Sequence, residues 1–450
     1  MVTPYYTDKY GLIYVKPFYL MKKILLIIVF ALIAFSCSEQ PTADKQENKQ
    51  EEAIAKQQGC LEESTDIEYP CKNVELVSRV SANDLLGDRL NDIWGWTDPQ
   101  TGKEYALVAL TDRVTFVDIS TPSDPAVVGT LPESVDGSST SSVAFHDDNE
   151  AENKSAWRDL KVYQNHAYIV SDGQPHGLQV FDLTRLRGIS NPPKTFSEDL
   201  HYTDFGNAHN IAINKESGFA YVVGSDRFGG GLYMLDLSTP KDPQLVGHHQ
   251  DQTVGTTSPG YVHDTQCVMY DGPDTDYAGQ ELCFNASESH FMISDVSDKQ
   301  APVTVAKSTY PGNEYAHQGW LTEDQRYFLL DDELDEYRNN IVTQTYIWDL
   351  QDLDNPKLIG TYESAQTSID HNQYVKGDMT YQANYTAGLR ILSLSNVGDG
   401  KLKEVAYFDT YPAGDGPNFD GAWSNYPFFE SGLVIVSDVS NGLFVLDPKL

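Results

Sequence analysis

The chain has 450 residues, of which 66 are aspartate or glutamate and 31 are lysine or arginine, so its formal net charge is −35. Proteins that bind nucleic acids need basic patches for the phosphates, so this composition argues against a nucleic-acid partner. It also argues against contact between the folded domain and anionic lipid head groups, whereas an acidic surface favours solubility and attracts cations.

The N-terminal part predicts export and a lipid anchor. Residues 21–37 have the lysine-bearing start and the apolar run of a signal peptide, and they end in Ala34-Phe35-Ser36-Cys37. This segment resembles a bacterial lipoprotein signal with Cys37 as the lipidated residue, and its apolar run is shorter than the roughly 20 residues of a transmembrane helix. Residues 1–20 look like nothing that an exported protein requires, so we expect Met21 to be the true start. We expect an outer-membrane or cell-surface lipoprotein that contacts the membrane only through the lipid on Cys37.

Residues 38–59 are rich in Glu, Lys, Gln, Asn and Ala and have almost no large apolar side chain. Such a segment cannot bury enough surface to order itself, so we predict a flexible tether. The folded domain then spans residues 60–450. Its four cysteines form two local pairs, and an even number in an oxidising compartment predicts two disulfides, Cys60–Cys71 and Cys267–Cys283.

The folded domain consists of repeats. Four histidines recur at a fixed interval of 54 residues, and each opens a similar segment. Repeats of this length that are made of short strands are typical of the four-stranded blades of a β-propeller. We therefore predict an all-β fold, a seven-bladed β-propeller. The seven segments open at Asn91-Asp92, Arg158-Asp159, His209-Asn210, His263-Asp264, His317-Gln318, His371-Asn372 and Ser424-Asn425.

The seventh segment stops at Leu450, directly after its third strand. Residues 74–80 form an otherwise unassigned strand ahead of the first segment. An open propeller would leave two sheet edges unpaired, so we predict that this N-terminal strand closes the ring as the outer strand of the last blade.

Several long motifs occupy residues 91–96, 157–162, 263–267, 317–324 and 382–390. These motifs resemble the choice-of-anchor B family, which consists of exported bacterial proteins built from LVIVD-type propeller repeats. The resemblance covers nearly everything from Cys71 to Leu450. It implies a surface-anchored propeller and brings no established activity.

The segment openings are the candidate functional site, because equivalent positions of successive blades meet around one axis. Neutral imidazoles suit a transition metal, and carboxylates add ligands or hydrogen-bond acceptors. A guanidinium at the histidine-equivalent position would instead favour an anion or a substrate carboxylate. The alternative is structural, with each imidazole bonded to its own or the adjacent blade. The candidates are Asp92, Arg158, Asp159, His209, Asn210, His263, Asp264, His317, Gln318, His371 and Asn372, with the four histidines as metal ligands.

Two acidic segments and the tryptophans complete the sequence evidence. Asp271, Asp274, Asp276 and Glu281 offer closely spaced oxygen ligands for Ca²⁺, although an ordinary solvated turn explains them equally. We interpret residues 331–336, Asp-Asp-Glu-Leu-Asp-Glu, as an exposed face or a loop at the channel mouth. We assign the six tryptophans to packing between blades.

We therefore expect a monomeric surface lipoprotein whose propeller is a binding or interaction module, with an unidentified extracellular ligand or protein at the channel mouth. The alternative is a metal-dependent enzyme, hydrolytic or oxidative, that uses the His/Asp ring. The implied cofactors are a transition metal in the channel or calcium, and the sequence does not decide whether any reaction is catalysed.

Overall fold

The computed structural model describes residues 58–62, 67–134, 157–173 and 175–450, with the backbone alone for the first range. All of these lie in one unit, Ala53–Leu450. The predicted extension 1–20, the signal 21–37 with Cys37, and the tether up to residue 57 lie outside the described residues, so they stay predictions. In the described ranges, no helix is both long and apolar enough to cross a membrane.

The described strands form seven sheets, one for each predicted blade, so the all-β propeller is confirmed. Three strands precede the first blade: β1 (Gln58–Glu62), β2 (Ile67–Lys72) and β3 (Val74–Val80). Blade 1 contains β4 (Leu90–Thr97), β5 (Glu104–Leu110), β6 (Arg113–Asp118) and β7 (Ala126–Pro132). Blade 2 contains β8 (Arg158–Tyr163), β9 (His166–Ser171) and β10 (Leu178–Asp182); β11 (Lys194–Thr195) pairs with β7, and β12 (Leu200–Tyr202) completes blade 2.

The remaining blades have four consecutive strands or lack only the last. Blade 3 contains β13 (Asn210–Asn214), β14 (Phe219–Val223), β15 (Leu232–Asp236) and β16 (Gln244–His249). Blade 4 contains β17 (Asp264–Met269), β18 (Glu281–Ala286), β19 (Phe291–Asp295) and β20 (Val303–Ser308). Blade 5 contains β21 (Ala316–Leu321), β22 (Tyr327–Asp332), β23 (Gln344–Asp349) and β24 (Lys357–Glu363). Blade 6 contains β25 (Gln373–Lys376), β26 (Met379–Ala383), β27 (Leu389–Ser393) and β28 (Lys403–Phe408), and blade 7 contains β29 (Ala422–Tyr426), β30 (Val434–Asp438) and β31 (Gly442–Pro448).

Helical structure in the described ranges is confined to loops. The α-helix α1 (Asp335–Asn339) follows β22. The 3-10 helices are Leu183–Leu186, Phe228–Gly230 and Val397–Asp399. The blades themselves consist of β-strands, and the loops that join the strands can contribute residues to a site.

The seventh blade closes as predicted. Strand β3 pairs antiparallel with β31, from Val74 opposite Pro448 to Val80 opposite Leu443. Two further strands were not predicted, since β2 extends blade 6 at β28 and β1 pairs with β2. The N-terminal region thus covers the outer edges of two neighbouring blades.

The hydrophobic core lies between the blades. Phe116 of blade 1 stacks on Phe181 of blade 2 with ring centroids 4.8 Å apart. Phe291 of blade 4 stacks on Phe328 of blade 5 at 4.6 Å. Because each sheet buries its faces against its two neighbours, no blade has an independent core.

A carboxylate at the end of the third strand sets the turn to the fourth strand. Asp118, Asp236, Asp295 and Asp349 each accept a hydrogen bond at Oδ1 from the backbone N–H two residues further on. This is the bonding of an Asx turn. The recurrence of Asp at this point of the repeat therefore has a local structural cause.

The predicted disulfide in blade 4 is present. Cys267 of β17 lies directly opposite Cys283 of β18, and their sulfur atoms are bonded. Cys71 is also disulfide-bonded. The side chain of Cys60, its predicted partner, lies outside the described residues, so the Cys60–Cys71 pairing stays a prediction.

Candidate functional site

The four repeated histidines form one stack along four successive blades. The ring centroids of His209 and His263, of His263 and His317, and of His317 and His371 are each 4.3 Å apart. His209 and His263 immediately precede an innermost strand, His317 is the second residue of its strand, and His371 lies two residues ahead of its strand. The 54-residue interval places them together because each blade repeats the same backbone path around the axis.

Indole rings flank the stack. The centroid of Trp157 lies 6.2 Å from that of His209, and the centroid of Trp423 lies 4.8 Å from that of His371. Our assignment of these two tryptophans to packing between blades overlooked this position. Trp157 and Trp423 thus stand in blades 2 and 7 where the other blades carry histidine. In blade 1 this position is Asn91, because β4 has the same register shift after its first residue as β21, the strand that carries His317.

The predicted equivalence of Arg158 with the histidines is wrong by one residue. Arg158 lies opposite Ser171 at the start of its strand, as Asn210 lies opposite Val223 in blade 3. Arg158 is 1% exposed, and its Nη1 bonds to Nε2 of His176 at 2.6 Å. Its Nη2 forms an ion pair with Glu133 at 3.1 Å. The guanidinium therefore has a carboxylate partner of its own.

The stack borders a small cavity. Three of the predicted ligand-binding residues, Asp159, Asp264 and Gln318, do not border it. The residues that do are Asp92, Trp157, Arg158, His209, Asn210, His263, His317, His371, Asn372 and Trp423.

Hydrogen bonds fix the orientation of three imidazoles. Nδ1 of His263 lies 2.9 Å from the carbonyl oxygen of His317, and Nδ1 of His371 lies 2.6 Å from that of Trp423. Nδ1 of His317 lies 3.1 Å from Oδ1 of Asp331. A carbonyl oxygen can only accept, so the contacts of His263 and His371 assign the proton to Nδ1 and the lone pair to Nε2. An imidazole held in this way is the usual form of a metal-ligating histidine.

A carboxylate from the loop after β22 lies close to the Nε2 atoms of two histidines of the stack. Oxygen atoms of Glu333 lie 3.8 Å from Nε2 of His317 and 3.6 Å from Nε2 of His371. The hydroxyl of Tyr385 donates a 2.9 Å hydrogen bond to the same carboxylate. One ligand atom each from His263, His317 and Glu333 lie within 4.8 Å of one another. From the sequence, Glu333 was predicted to lie in an acidic loop and was not among the site residues.

Burial and neighbouring charges keep the stack mostly neutral. Burial, assisted by the adjacent imidazoles, lowers the pKa of His263 and His317 well below the usual value. Burial lowers the pKa of His371 to about 3. At His209 the effect of burial is outweighed by Asp172, whose carboxylate lies 2.8 Å from Nδ1, and the pKa rises to about 9. Burial also raises the pKa of Glu333 to about 7.

A charged cluster next to the cavity includes two of the predicted carboxylates. Nζ of Lys161 lies 2.5 Å from Asp159 and 3.2 Å from Asp92. Burial raises the pKa of Asp92 well above its usual value, whereas at Asp159 the charge of Lys161 outweighs burial and lowers the pKa. Asp264 is not ion-paired with Lys161; burial and the charge of Asp159 raise its pKa to about 7. Lys161 is thus the ion-pair partner of Asp159, and Asp92 also borders the cavity beside the imidazoles.

The structure does not assemble the predicted calcium loop. Glu281 is 4% exposed and forms a 2.7 Å ion pair with Lys299 and a 2.7 Å hydrogen bond with Asn214. Asp274 instead lies near Asp352 and Asp354, within 4.8 Å. Asp271 and Asp276 belong to neither of the three-residue ligand groups found in the described ranges. The spacing in sequence was misleading because Glu281 begins strand β18 and faces the adjacent blade.

The acidic segment 331–336 is not an exposed face. Asp331, Asp332, Asp335 and Glu336 are each at most 1% exposed. Asp331 bonds to the backbone N–H of Gln318 and to His317, so it belongs to the channel site. The alternative interpretation, a loop at the channel mouth, agrees with the position of Glu333.

The fold and the site together define a class: a seven-bladed β-propeller with a candidate metal-binding site where histidines of four successive blades meet. The LVIVD repeat model matches residues 102–132 and 205–251, which contain the outer three strands of blade 1 and all of blade 3. No curated protein matches the sequence. The two matches and the seven blades support an LVIVD-repeat propeller, an architecture that suggests a binding or interaction module.

Proposed function

We propose that the propeller is a binding module for one transition-metal ion, held by Nε2 of His263, Nε2 of His317 and the carboxylate of Glu333. The observation that carries the proposal is the convergence of one ligand atom from each of these three residues within 4.8 Å. Imidazole nitrogen and carboxylate oxygen are the ligands of zinc and of other late first-row metals. Three protein ligands leave one position of a tetrahedral ion for water or a small external ligand.

The hydrogen bonds favour binding over a purely structural stack. A structural histidine would use its nitrogens to satisfy backbone groups of the blades. Here Nδ1 of His263 and Nδ1 of His371 do so, and each bonded carbonyl belongs to the next blade. The Nε2 atoms of His317 and His371 instead face Glu333. Because the pKa values of His263 and His317 are lowered, a metal ion would displace no proton from these imidazoles at neutral pH.

The charges favour a cation over an anion. The stack offers three neutral imidazoles and a carboxylate, and the cationic His209 is already paired with Asp172. Arg158, which suggested an anion from the sequence, is paired with Glu133. A metal-dependent enzyme would use the same ion, and that alternative stays a hypothesis.

Metal analysis of the purified protein tests the proposal. We expect one equivalent of zinc, nickel or copper after equilibration, and loss of that equivalent in His263→Ala/His317→Ala. The matched control, His166→Ala/His248→Ala, removes two imidazoles outside the stack and should keep the metal. Retention of the metal by the first variant, or a folded wild-type protein that binds none, would refute the site. If the first variant only unfolds at lower temperature, the histidines are structural.

We further propose that the protein is exported and anchored through Cys37, as a member of the choice-of-anchor B group. The Cys267–Cys283 disulfide supports an oxidising compartment, since such bonds rarely persist in the cytosol. Cys37→Ser should move the protein from the membrane fraction to the soluble fraction of the expressing bacterium. A membrane-bound Cys37→Ser protein would contradict lipid anchoring.

A further inference from the structure

A tyrosine of blade 6 holds the carboxylate of the candidate metal site. Tyr385 lies in the turn between β26 and β27, and its hydroxyl donates a 2.9 Å hydrogen bond to Oε1 of Glu333, which follows β22 of blade 5. Tyr385 is 1% exposed. Since a buried phenol hydroxyl needs a hydrogen-bond partner, this bond fixes the side chains of two neighbouring blades against each other.

The backbone of Tyr385 adopts a conformation that a bulky residue rarely takes. Its φ is 34°, in the positive range that favours glycine. Its N–H donates to the carbonyl oxygen of Ala422 in blade 7 at 3.0 Å, and its carbonyl oxygen accepts from the N–H of Ala422 at 2.8 Å. Strain of this kind persists only where surrounding contacts enforce it, and it concentrates at ligand-binding sites.

Two further contacts enforce the conformation of this turn. The hydroxyl of Ser368, a fully buried residue, donates to the carbonyl oxygen of Asn384 and accepts from the N–H of Ala387 at 3.1 Å. Gly421 has a φ of 99°, and a β-carbon there would lie 2.2 Å from the carbonyl oxygen of Tyr385. Only glycine therefore lets blade 7 approach the turn so closely.

Aromatic neighbours fix the direction of the Tyr385 ring. Its centroid lies 4.7 Å from that of the His371 imidazole and 5.9 Å from that of the Trp423 indole. Phe419 packs edge-on against it with a centroid distance of 5.5 Å. Because both the backbone and the ring are fixed, the hydroxyl is held at the carboxylate of Glu333.

The two carboxylate oxygens of Glu333 have different surroundings. Oε1 accepts the hydrogen bond from Tyr385 and lies 3.6 Å from Nε2 of His371. Oε2 lies 3.8 Å from Nε2 of His317 and accepts no hydrogen bond from the part of the chain that the structure describes. The group of three ligand residues contains His263, His317 and Glu333 and does not include His371. Oε2 is therefore the oxygen that a metal ion between these residues can use.

We propose that Tyr385 is a positioning residue that makes Glu333 a ligand through Oε2 alone, and that it thereby favours zinc in the metal site proposed above, on which this inference rests. A carboxylate can bind a metal ion through one oxygen or through both. With Oε1 bonded to the hydroxyl, two imidazole nitrogens and one oxygen leave a single open position on a tetrahedral ion, the geometry of protein-bound zinc. Without the hydroxyl, Oε1 can bind as well, and the higher coordination number suits nickel or copper better.

The variant Tyr385→Phe keeps the ring and removes only the hydroxyl. We expect it to bind one metal equivalent with a zinc affinity lowered at least about tenfold, as for other hydrogen-bond partners of metal ligands. Nickel affinity should fall less, so that the preference for zinc over nickel becomes smaller. With Co²⁺ as the probe, the wild-type protein should show the intense visible absorption of a four-coordinate ion, and this absorption should weaken in the variant.

A matched control and a zinc-loaded structure complete the test. Tyr277→Phe removes a 2.8 Å hydrogen bond to Asp354, outside the site, and should leave zinc affinity and the Co²⁺ spectrum unchanged. In a crystal structure of the zinc-loaded wild type, one oxygen of Glu333 should lie about 2.0–2.2 Å from the ion. The other oxygen should stay bonded to Tyr385, so this measurement decides the question even where Tyr385→Phe does not fold.

The role of Tyr385 and the metal site can fail separately. Zinc bound through both oxygens of Glu333, or a Tyr385→Phe protein with unchanged metal preference and Co²⁺ spectrum, would overturn the role of Tyr385 and leave the metal site intact. A Tyr385→Phe protein whose Tm alone is lowered would make the hydroxyl purely structural. A folded wild-type protein that binds no metal would overturn both proposals.

Discussion

His176 shows how one buried residue makes stability depend on pH. Its Nδ1 donates to the carbonyl oxygen of Gly177 and its Nε2 accepts from Arg158, so the folded protein holds it neutral. Burial, followed by the charge of Arg158, lowers its pKa to about 3. In the unfolded chain the pKa is about 6.5, so below that pH the unfolded state takes up a proton first and the folded state is destabilised.

We therefore predict that His176→Gln is less stable than the wild type at pH 7 and that the difference shrinks on acidification. The loss from this histidine is about 1.4 kcal/mol per pH unit, or about 2 to 3 kcal/mol between pH 6.5 and 4.5. Urea unfolding of both proteins at pH 7 and 4.5 measures it. A difference that stays constant over this range would contradict the burial of a neutral imidazole.

The residues of the site were predictable only where the repeat supplies them. The histidines follow from the 54-residue interval, because a repeated position must recur around the axis. Glu333 and Tyr385 lie outside that interval and approach the stack through loops, so no periodicity reveals them. Arg158 was aligned with the histidines in place of Trp157. The error arose because the spacing from Trp157 to His209 is shorter than the 54-residue repeat, so the fixed interval does not lead back to Trp157.

Among the elements, the closing strand was predictable and the extra edge strands were not. Strand β3 follows from a simple count, since blade 7 lacked a fourth strand and an unpaired edge demands one. Strands β1, β2 and β11 are additional to the four strands of each blade. Counting the strands of the repeats therefore could not predict where they pair. Strand β11 is only Lys194–Thr195 and pairs in parallel with β7, which follows from the path of a loop rather than from a hydrophobic pattern.

We predict that the propeller needs β3 to fold. A protein that begins at Ser81 lacks β3 and exposes the edge of β31, whereas one that begins at Asn73 loses β1 and β2 but keeps the closure. The shorter protein should aggregate or lose its cooperative thermal transition. Circular dichroism and size-exclusion chromatography compare the two. Equal stability of both proteins would show that the seventh blade does not depend on this strand.

At the scale of the whole molecule, the net charge of −35 opposes compaction. Repulsion among like charges destabilises the folded state, and salt screens it. We predict that the Tm of the metal-free protein rises by several degrees between low salt and about 0.3 M sodium chloride. Sucrose of equal osmolarity serves as the uncharged control. A Tm that falls with salt would mean that attractive ion pairs, such as Lys161–Asp159, outweigh the repulsion.

The pairing of β3 with β31 also sets an order of assembly. The seventh blade combines residues from both ends of the described domain, so it can form only after blades 1–6 have been synthesised. Contacts between such distant segments are reached late and slowly. Until then the free edge of β31 can accept the equivalent strand of another copy, and the same closure that completes the ring offers a route to domain-swapped dimers.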